Sequence, residues 1–230
     1  MVLPKDVPVM TLSNATLFPQ AMLPLKIFEP RYRKMLKDAL ESDRVFAVAM
    51  QKPGLVREIP SGVAGVGLIR AAVTHKDGTS HVVLQGIARV ELMKIVHYKP
   101  YRRQEIQPLE TVGSDSVVID ALTAKVLDLV VERFEQGVEF PVHFFNQVNE
   151  TPPQKKAILP KDLSVQQVVK FLSRLENPDQ LADLVSCTLL SGALQRQTIL
   201  ETTNLEARLK YLIHFLIAEI DRGGENSVQA

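Results

Sequence analysis

Tryptophan is absent from this 230-residue chain, cysteine occurs once, and aromatic residues reach only 6%. A single cysteine, Cys187, excludes an internal disulfide and a cysteine-built metal cluster. Its neighbours Leu184, Val185 and Leu189 mark it as a buried structural thiol rather than a nucleophile. A dominant charge is missing as well. The net charge is +1, so no whole-chain field holds the protein to nucleic acid or to an acidic membrane, and any such contact has to come from a local patch. Long apolar runs are lacking, and the start MVLPKDVPVM has no basic segment followed by an apolar stretch. No membrane contact and a cytoplasmic address are therefore expected. What the chain does have is 46% apolar residues, enough for one large domain or two small ones.

The apolar residues follow two different periods. Up to about residue 110 they form short runs bounded by turn residues: PVMTL (8–12), MLPLKI (22–27), VFAVAM (45–50), GVAGVGLIRAAV (62–73), HVVLQG (81–86) and IARVELMKIV (87–96). Asp77-Gly78 supplies a hairpin turn, because glycine tolerates the positive φ such turns need. Six or so short strands suggest a small barrel or sandwich. After residue 113 the period becomes helical. Val118, Leu122, Val126, Leu129, Val130 and Phe134 share one stripe that stops at Gly137. Ser164 with Gln167 predicts a capped helix, Asn177-Pro178 opens another, and Thr203 with Glu206 predicts a last one that ends at Gly223-Gly224. The stretch 138–162 carries Pro152-Pro153 and reads as a short helix plus a loop.

Catalytic patterns are missing too. Gly62 and Gly67 have P-loop separation, but Leu68-Ile69 stand where lysine and a hydroxyl residue are required, and Gly65-x-Gly67 is followed by Arg70 instead of a third glycine. Glycines that permit tight bends in a barrel strand explain this run better. Ser61 has no identifiable lysine partner. The histidines at 75, 81, 97, 143 and 214 show no compact metal spacing, although His75 and His81 could face each other across a hairpin. No metal, no cofactor and no enzymatic activity are expected.

The segment LPLKIFEPRYRKML (23–36) changes from strand to helix across Pro30, which disfavours helical geometry at Glu29 and suits a helix start. Tyr32, Met35, Leu36, Ala39 and Leu40 form one apolar face, and Glu29 can pair with Arg31 or Arg33. A lone carboxylate beside arginines is a poor general acid, so Phe28, Glu29, Pro30, Arg31 and Tyr32 read as a structural joint. These residues also carry a resemblance. LFPxxxLPLKIFEPRYRKML resembles the signature of the Lon protease N-terminal domain family, also called the Lon substrate-binding domain. DGTSHVVLQGIARVEL (77–92), KPYRRQEIQPL (99–109) and the segment 177–220, with its LAD, Arg196-Gln197 and Ile199-Leu200-Glu201, continue the likeness in order. Gln20 stands where the family often has glycine after Phe-Pro.

The resemblance implies an α+β fold: a PUA-like β-barrel of about six strands with one short helix over 1–112, then a C-terminal α-helical bundle over 113–230. It further implies a stand-alone, non-catalytic module that binds unfolded or client polypeptides, as an adaptor or regulator of proteolysis working with a separate proteolytic ATPase. Phe140, Phe144 and Phe145 are the polypeptide-binding candidates, with plugging of the seam between barrel and bundle as the competing role. The alternative is RNA binding through 97–105, where Tyr98 and Tyr101 could stack on bases while Lys99, Arg102 and Arg103 meet phosphates. The plainer reading of that stretch is an edge strand blunted by charge. Residues 181–200 permit a helix-turn-helix with Arg196 as its only strong contact, a weak signal.

Overall fold

The computed structural model describes residues 2–55, 57–113, 116–137, 165–175 and 177–228. Its elements are β1 (Asp6–Leu12), β2 (Met22–Ile27), α1 (Pro30–Leu40), β3 (Val45–Met50), β4 (Val63–Thr74), β5 (Ser80–His97), β6 (Arg102–Pro108), α2 (Val117–Glu135), α3 (Val165–Leu172), α4 (Pro178–Leu189), α5 (Ala193–Glu201) and α6 (Leu205–Val228). The fold is α+β. The six strands and α1 belong to the first of two compact units, Met1–Glu110, and α2 to α6 to the second, Thr111–Ala230.

In the first unit the strand order is β2-β5-β4-β3-β1-β6, with a further β5–β6 pairing. The pairings β5–β4–β3–β1–β6–β5 thus close a circuit, as a barrel requires, and β2 lies outside it with one neighbour. Only β1 and β3 run parallel. The runs 81–86 and 87–96 are one strand instead of two. β5 is 18 residues long and serves three neighbours: its first half pairs with β2, its second with β6, and β4 follows it from Ser80 to Glu91. Gly86 does not end the strand, because its role is proximity. A Cβ there would run into the carbonyl of Phe18, and one on Gly65 into the carbonyl of Leu17. These glycines admit the 17–18 backbone against the sheet, and the β4–β5 ladder shifts register between Val66 and Gly67, next to the Gly67–Gly86 pair. Gln20, which follows, adopts φ 68 and donates its N–H to Gly86 O at 2.9 Å.

Pro30 starts α1 as its first residue, and Glu29 is extended with ψ 133. Tyr32, Met35, Leu36 and Ala39 are buried against Leu17, Ile27, Phe46, Val48, Ile69, Val82 and Leu84. Each such side chain contributes about 1.5–3 kcal/mol when fully buried. Strand β3 is buried at every position, since Val45, Ala47 and Ala49 belong to a second apolar cluster with Val7, Val9, Ala64, Val66 and Val90.

In the second unit Ser116 Oγ caps α2 by accepting from Ile119 N at 3.3 Å. Ile119, Val126, Leu129 and Val130 are its buried residues, so Ile119 takes the place expected of Val118, which is exposed. Gly137 follows with φ 82. Asn177 Oδ1 accepts from Asp179 N at 2.9 Å at the start of α4. The cap of α6 is Asn204, whose Oδ1 accepts from Ala207 N at 2.9 Å, and not Thr203, whose carbonyl is taken by Val112 N–H at 2.9 Å. Helix α6 also runs through Gly223-Gly224 to Val228 instead of stopping there. Gln136 Nε2 reaches Ile220 O at 2.9 Å, and a Cβ on Gly223 would press on Gln136 and Arg133. Close helix approach explains that glycine better than a stop does.

Candidate recognition surface

The joint 28–32 is a knot of contacts. Arg31 donates to Glu29 Oε2 from Nε and Nη2 at 2.9 and 2.8 Å and meets Glu58 at 2.7 Å. Its guanidinium lies 4.3 Å from the centre of the Tyr32 ring. Tyr32 Oη accepts from Thr11 N–H at 3.1 Å and donates to the Glu58 carboxylate at 3.0 Å, with Thr11 O at 3.2 Å. Burial raises the Tyr32 hydroxyl above its ordinary range, so it stays a neutral donor. The joint therefore ties α1 to β1 and to Glu58 in the β3–β4 connection. Phe28 at its start is 61% exposed.

Apolar surface gathers instead on the outer face of β2, β5 and β4. Register pairs Val83 with Pro24 and Ala71, and His81 with Lys26 and Val73. Cross-strand partners share a face, so Pro24, Val83, Ala71 and Val73 form one apolar strip. The alternate residues Leu23, Leu25, Ile27, Val82, Leu84, Ile69 and Ala72 belong to the core on the other side. Pro24 and Ala71 are exposed, Val83 is half-buried and Val73 is 58% exposed. Among the described residues the outer edge of β2 has no strand partner, and it borders the strip. Pro24 offers no N–H there and Lys26 adds a charge, two devices that guard an edge against indiscriminate strand addition. The alternation in MLPLKI carried this signal.

The residues singled out in 97–105 fall apart into separate roles. Tyr98 is exposed, and Arg102 lies 5.1 Å from its ring centre. Lys99 is exposed and precedes a cis proline. Tyr101 is only 7% exposed and donates its hydroxyl to Asp38 Oδ2 at 2.9 Å. Arg103 pairs with Asp6. Strand β6 is not an edge, because β1 takes one side of it and β5 the other. Arg196, the one strong contact of the helix-turn-helix reading, is engaged by Leu190 O at 2.7 Å and Ser191 O at 2.9 Å. His75 and His81 do meet across the hairpin, with Nε2···Nδ1 at 3.0 Å. Among the described residues no three His, Cys, Asp or Glu side chains are arranged to hold a metal ion, and no helix is long and apolar enough to cross a membrane. Cys187 is half-buried, its Sγ 3.2 Å from Leu184 O, and burial pushes the thiol up to about 11. Phe140, Phe144 and Phe145 lie outside the described residues.

The chain has relatives among known proteins. The chain is 28% identical over 220 residues to Lon protease 2 of Herpetosiphon aurantiacus, covering 94% of this chain and 24% of that protein. It is 21% identical over 222 residues to the Lon protease of Dictyoglomus thermophilum, covering 95% and 25%. The chain thus spans about a quarter of the length of these curated relatives. Among solved structures, the N-terminal domain of the Mycobacterium avium complex Lon protease superposes with a TM-score of 0.66 at 18% identity, covering 92% of this chain and 98% of that one. The Lon N-terminal domain protein from Xanthomonas campestris gives 0.61 at 16% identity, covering 91% and 98%. The family model for the ATP-dependent protease La (LON) substrate-binding domain matches residues 6–218. Over nearly its whole length, then, this chain belongs to the LON substrate-binding domain family.

Proposed function

We propose that this chain is a non-catalytic polypeptide-recognition module that holds client segments for a proteolytic ATPase, in the role of an adaptor or regulator. The observation that carries the reading is the exposed apolar strip of Pro24, Ala71, Val73 and Val83 on a rigid sheet whose opposite face is core. An unfolded segment offers apolar side chains at alternate positions, and an apolar sheet face receives them. The matched family region is a substrate-binding domain, which supports the same reading. Phe140, Phe144 and Phe145 remain proposed as a further contact for the client. RNA binding has less support, since Tyr101 is buried and Arg103 is neutralised by Asp6, leaving Tyr98, Lys99 and Arg102 alone.

Hydrogen exchange with and without reduced, carboxymethylated α-lactalbumin tests this. Added protection is expected at 22–27 and 70–85. Protection confined to 138–148 would move the site to the phenylalanines, and no protection anywhere would remove the function. Hydrolysis of ATP or of casein by the purified chain would end the non-catalytic reading.

A further inference from the structure

The strip ends at the β4–β5 turn, and there the surface changes character. Between residues 24–28 and 70–83 the basic side chains are Lys26, Arg70, His75, Lys76 and His81, and Asp77 is the sole carboxylate. Helix α1 adds Arg33, whose guanidinium lies against Gly78 of the turn. Lys26, Arg33 and Lys76 are exposed, and none has an ion-pair partner among the described residues. Asp77 is occupied within its own turn, accepting from Thr79 N and Thr79 Oγ1 at 2.9 Å each. Those two bonds, with His75 and Lys26 nearby, hold its carboxyl below the usual range. The turn itself is firm, closed by His75 N to Thr79 O at 2.8 Å and Gly78 N to His75 O at 2.9 Å. Val73, paired with His81, and Phe28, next in sequence to Ile27 that pairs with Ser80, are both more than half exposed at this end of the strands.

We propose that this basic tip, continuous with the apolar strip, docks a short extended polypeptide segment in which carboxylates alternate with apolar side chains. The inference rests on the polypeptide-recognition reading and narrows its substrate class. Three adjacent strands span about 10 Å, the length of about three to four extended residues, so the tip fits a motif and not a whole fold. Four permanent cations, Lys26, Arg33, Arg70 and Lys76, set against the Asp77 carboxylate, are too few to bind a phosphate backbone or an anionic bilayer firmly in physiological salt, whereas apolar neighbours such as Phe28 add what a mixed peptide needs. Rim charges of this kind set preference and encounter rate more than total affinity.

The test uses fluorescence anisotropy of three short labelled peptides in which Leu and Val alternate with Glu, with Gln or with Lys. At low salt the Glu peptide is expected to bind about five- to ten-fold more tightly than the Gln peptide, with the Lys peptide weakest. High salt should erase the difference, and the triple variant Lys26→Glu, Arg33→Glu, Lys76→Glu should reverse it, with Gln-peptide binding retained and an unchanged circular dichroism spectrum. A second, milder set, Lys26→Gln with Lys76→Gln, should reduce the preference by about half on a logarithmic scale. Equal binding of the Glu and Gln peptides overturns the inference and leaves the recognition module standing. Binding of neither peptide overturns both. Tighter, tip-dependent binding of a single-stranded RNA or of phosphatidylserine vesicles would also overturn it.

Discussion

In residues 1–110 the largest fully buried side chains are apolar, Phe18, Phe46 and Met10 among them, and the buried polar ones are neutral apart from Arg89. In residues 111–230 the largest is itself a cation, Arg208, with no exposed surface, and the carboxylates Asp183 and Glu219 are buried as well. Arg208 pairs with Asp179 and lies 3.5 Å from Asp183. It donates to Thr202 O at 2.7 Å, Thr111 Oγ1 at 3.3 Å and Thr203 O at 3.4 Å. Glu219 accepts from Ser191 Oγ at 2.7 Å and meets Arg222 and Arg133 at 2.8 and 3.4 Å. The two units thus solve different problems. A sheet fixes its register through backbone pairing and needs only apolar cover. Packed helices can slide by a turn at little apolar cost, and directional charge pairs fix which turn of α4 meets which turn of α6.

The largest expected effect follows from that difference. Arg208→Met keeps most of the volume but strands Asp179 and Asp183 without their cation, a change that costs about 3–5 kcal/mol in buried pairs. Urea unfolding followed by far-ultraviolet circular dichroism measures it, and adding Asp183→Asn should return part of the loss. A cost below about 1 kcal/mol would mean that apolar packing alone holds the helical unit, and the contrast would collapse.

Legibility follows the same line. Strand alternation, the Asp77-Gly78 turn and the proline joint at 30 are local signals, and β1 to β4, α1 and the α4 start lie where those signals fall. The unbroken β5 was not legible, because Gly86 looks like a break and its true reason, the Phe18 carbonyl, lies far away in sequence. The run of α6 through Gly223 was hidden likewise by a partner on another helix. Arg208 sits in an ordinary helical pattern, where a charge reads as surface, and only the three-dimensional meeting with Asp179 and Asp183 changes that. For the candidate surface, Lys26 and His81 were visible residues, but their shared face needed the register of β2 on β5.

Glycine sharpens the contrast further, since the sheet unit depends on backbone approach where the helical unit depends on charge. Gly65→Ala inserts a Cβ into the carbonyl of Leu17, a backbone atom that cannot rotate away. Overpacking of this kind costs about 1–3 kcal/mol, to be read as a lowered urea midpoint. An unchanged midpoint would show that the 17–18 segment yields freely and that its closeness to the sheet is unimportant.

The smallest effect has the opposite sign. Gln20 is exposed and held at φ 68, in the left-handed region, which costs a residue with a Cβ about 1–2 kcal/mol. Its N–H to Gly86 O bond is a backbone bond, so any side chain preserves it and glycine preserves it without strain. Gln20→Gly gives back about 0.5–1 kcal/mol through the greater freedom of the unfolded chain, and the net is a gain of about 0.5–1 kcal/mol. A raised melting temperature checks it. Adding a Cβ at position 65 therefore destabilises and removing one at position 20 stabilises, because the first site lacks room for a Cβ and the second lacks only the backbone freedom that a Cβ removes. An unchanged or lowered melting temperature for Gln20→Gly would place the strain elsewhere in the 17–21 segment, and the left-handed backbone at Gln20 would no longer account for a cost at that turn.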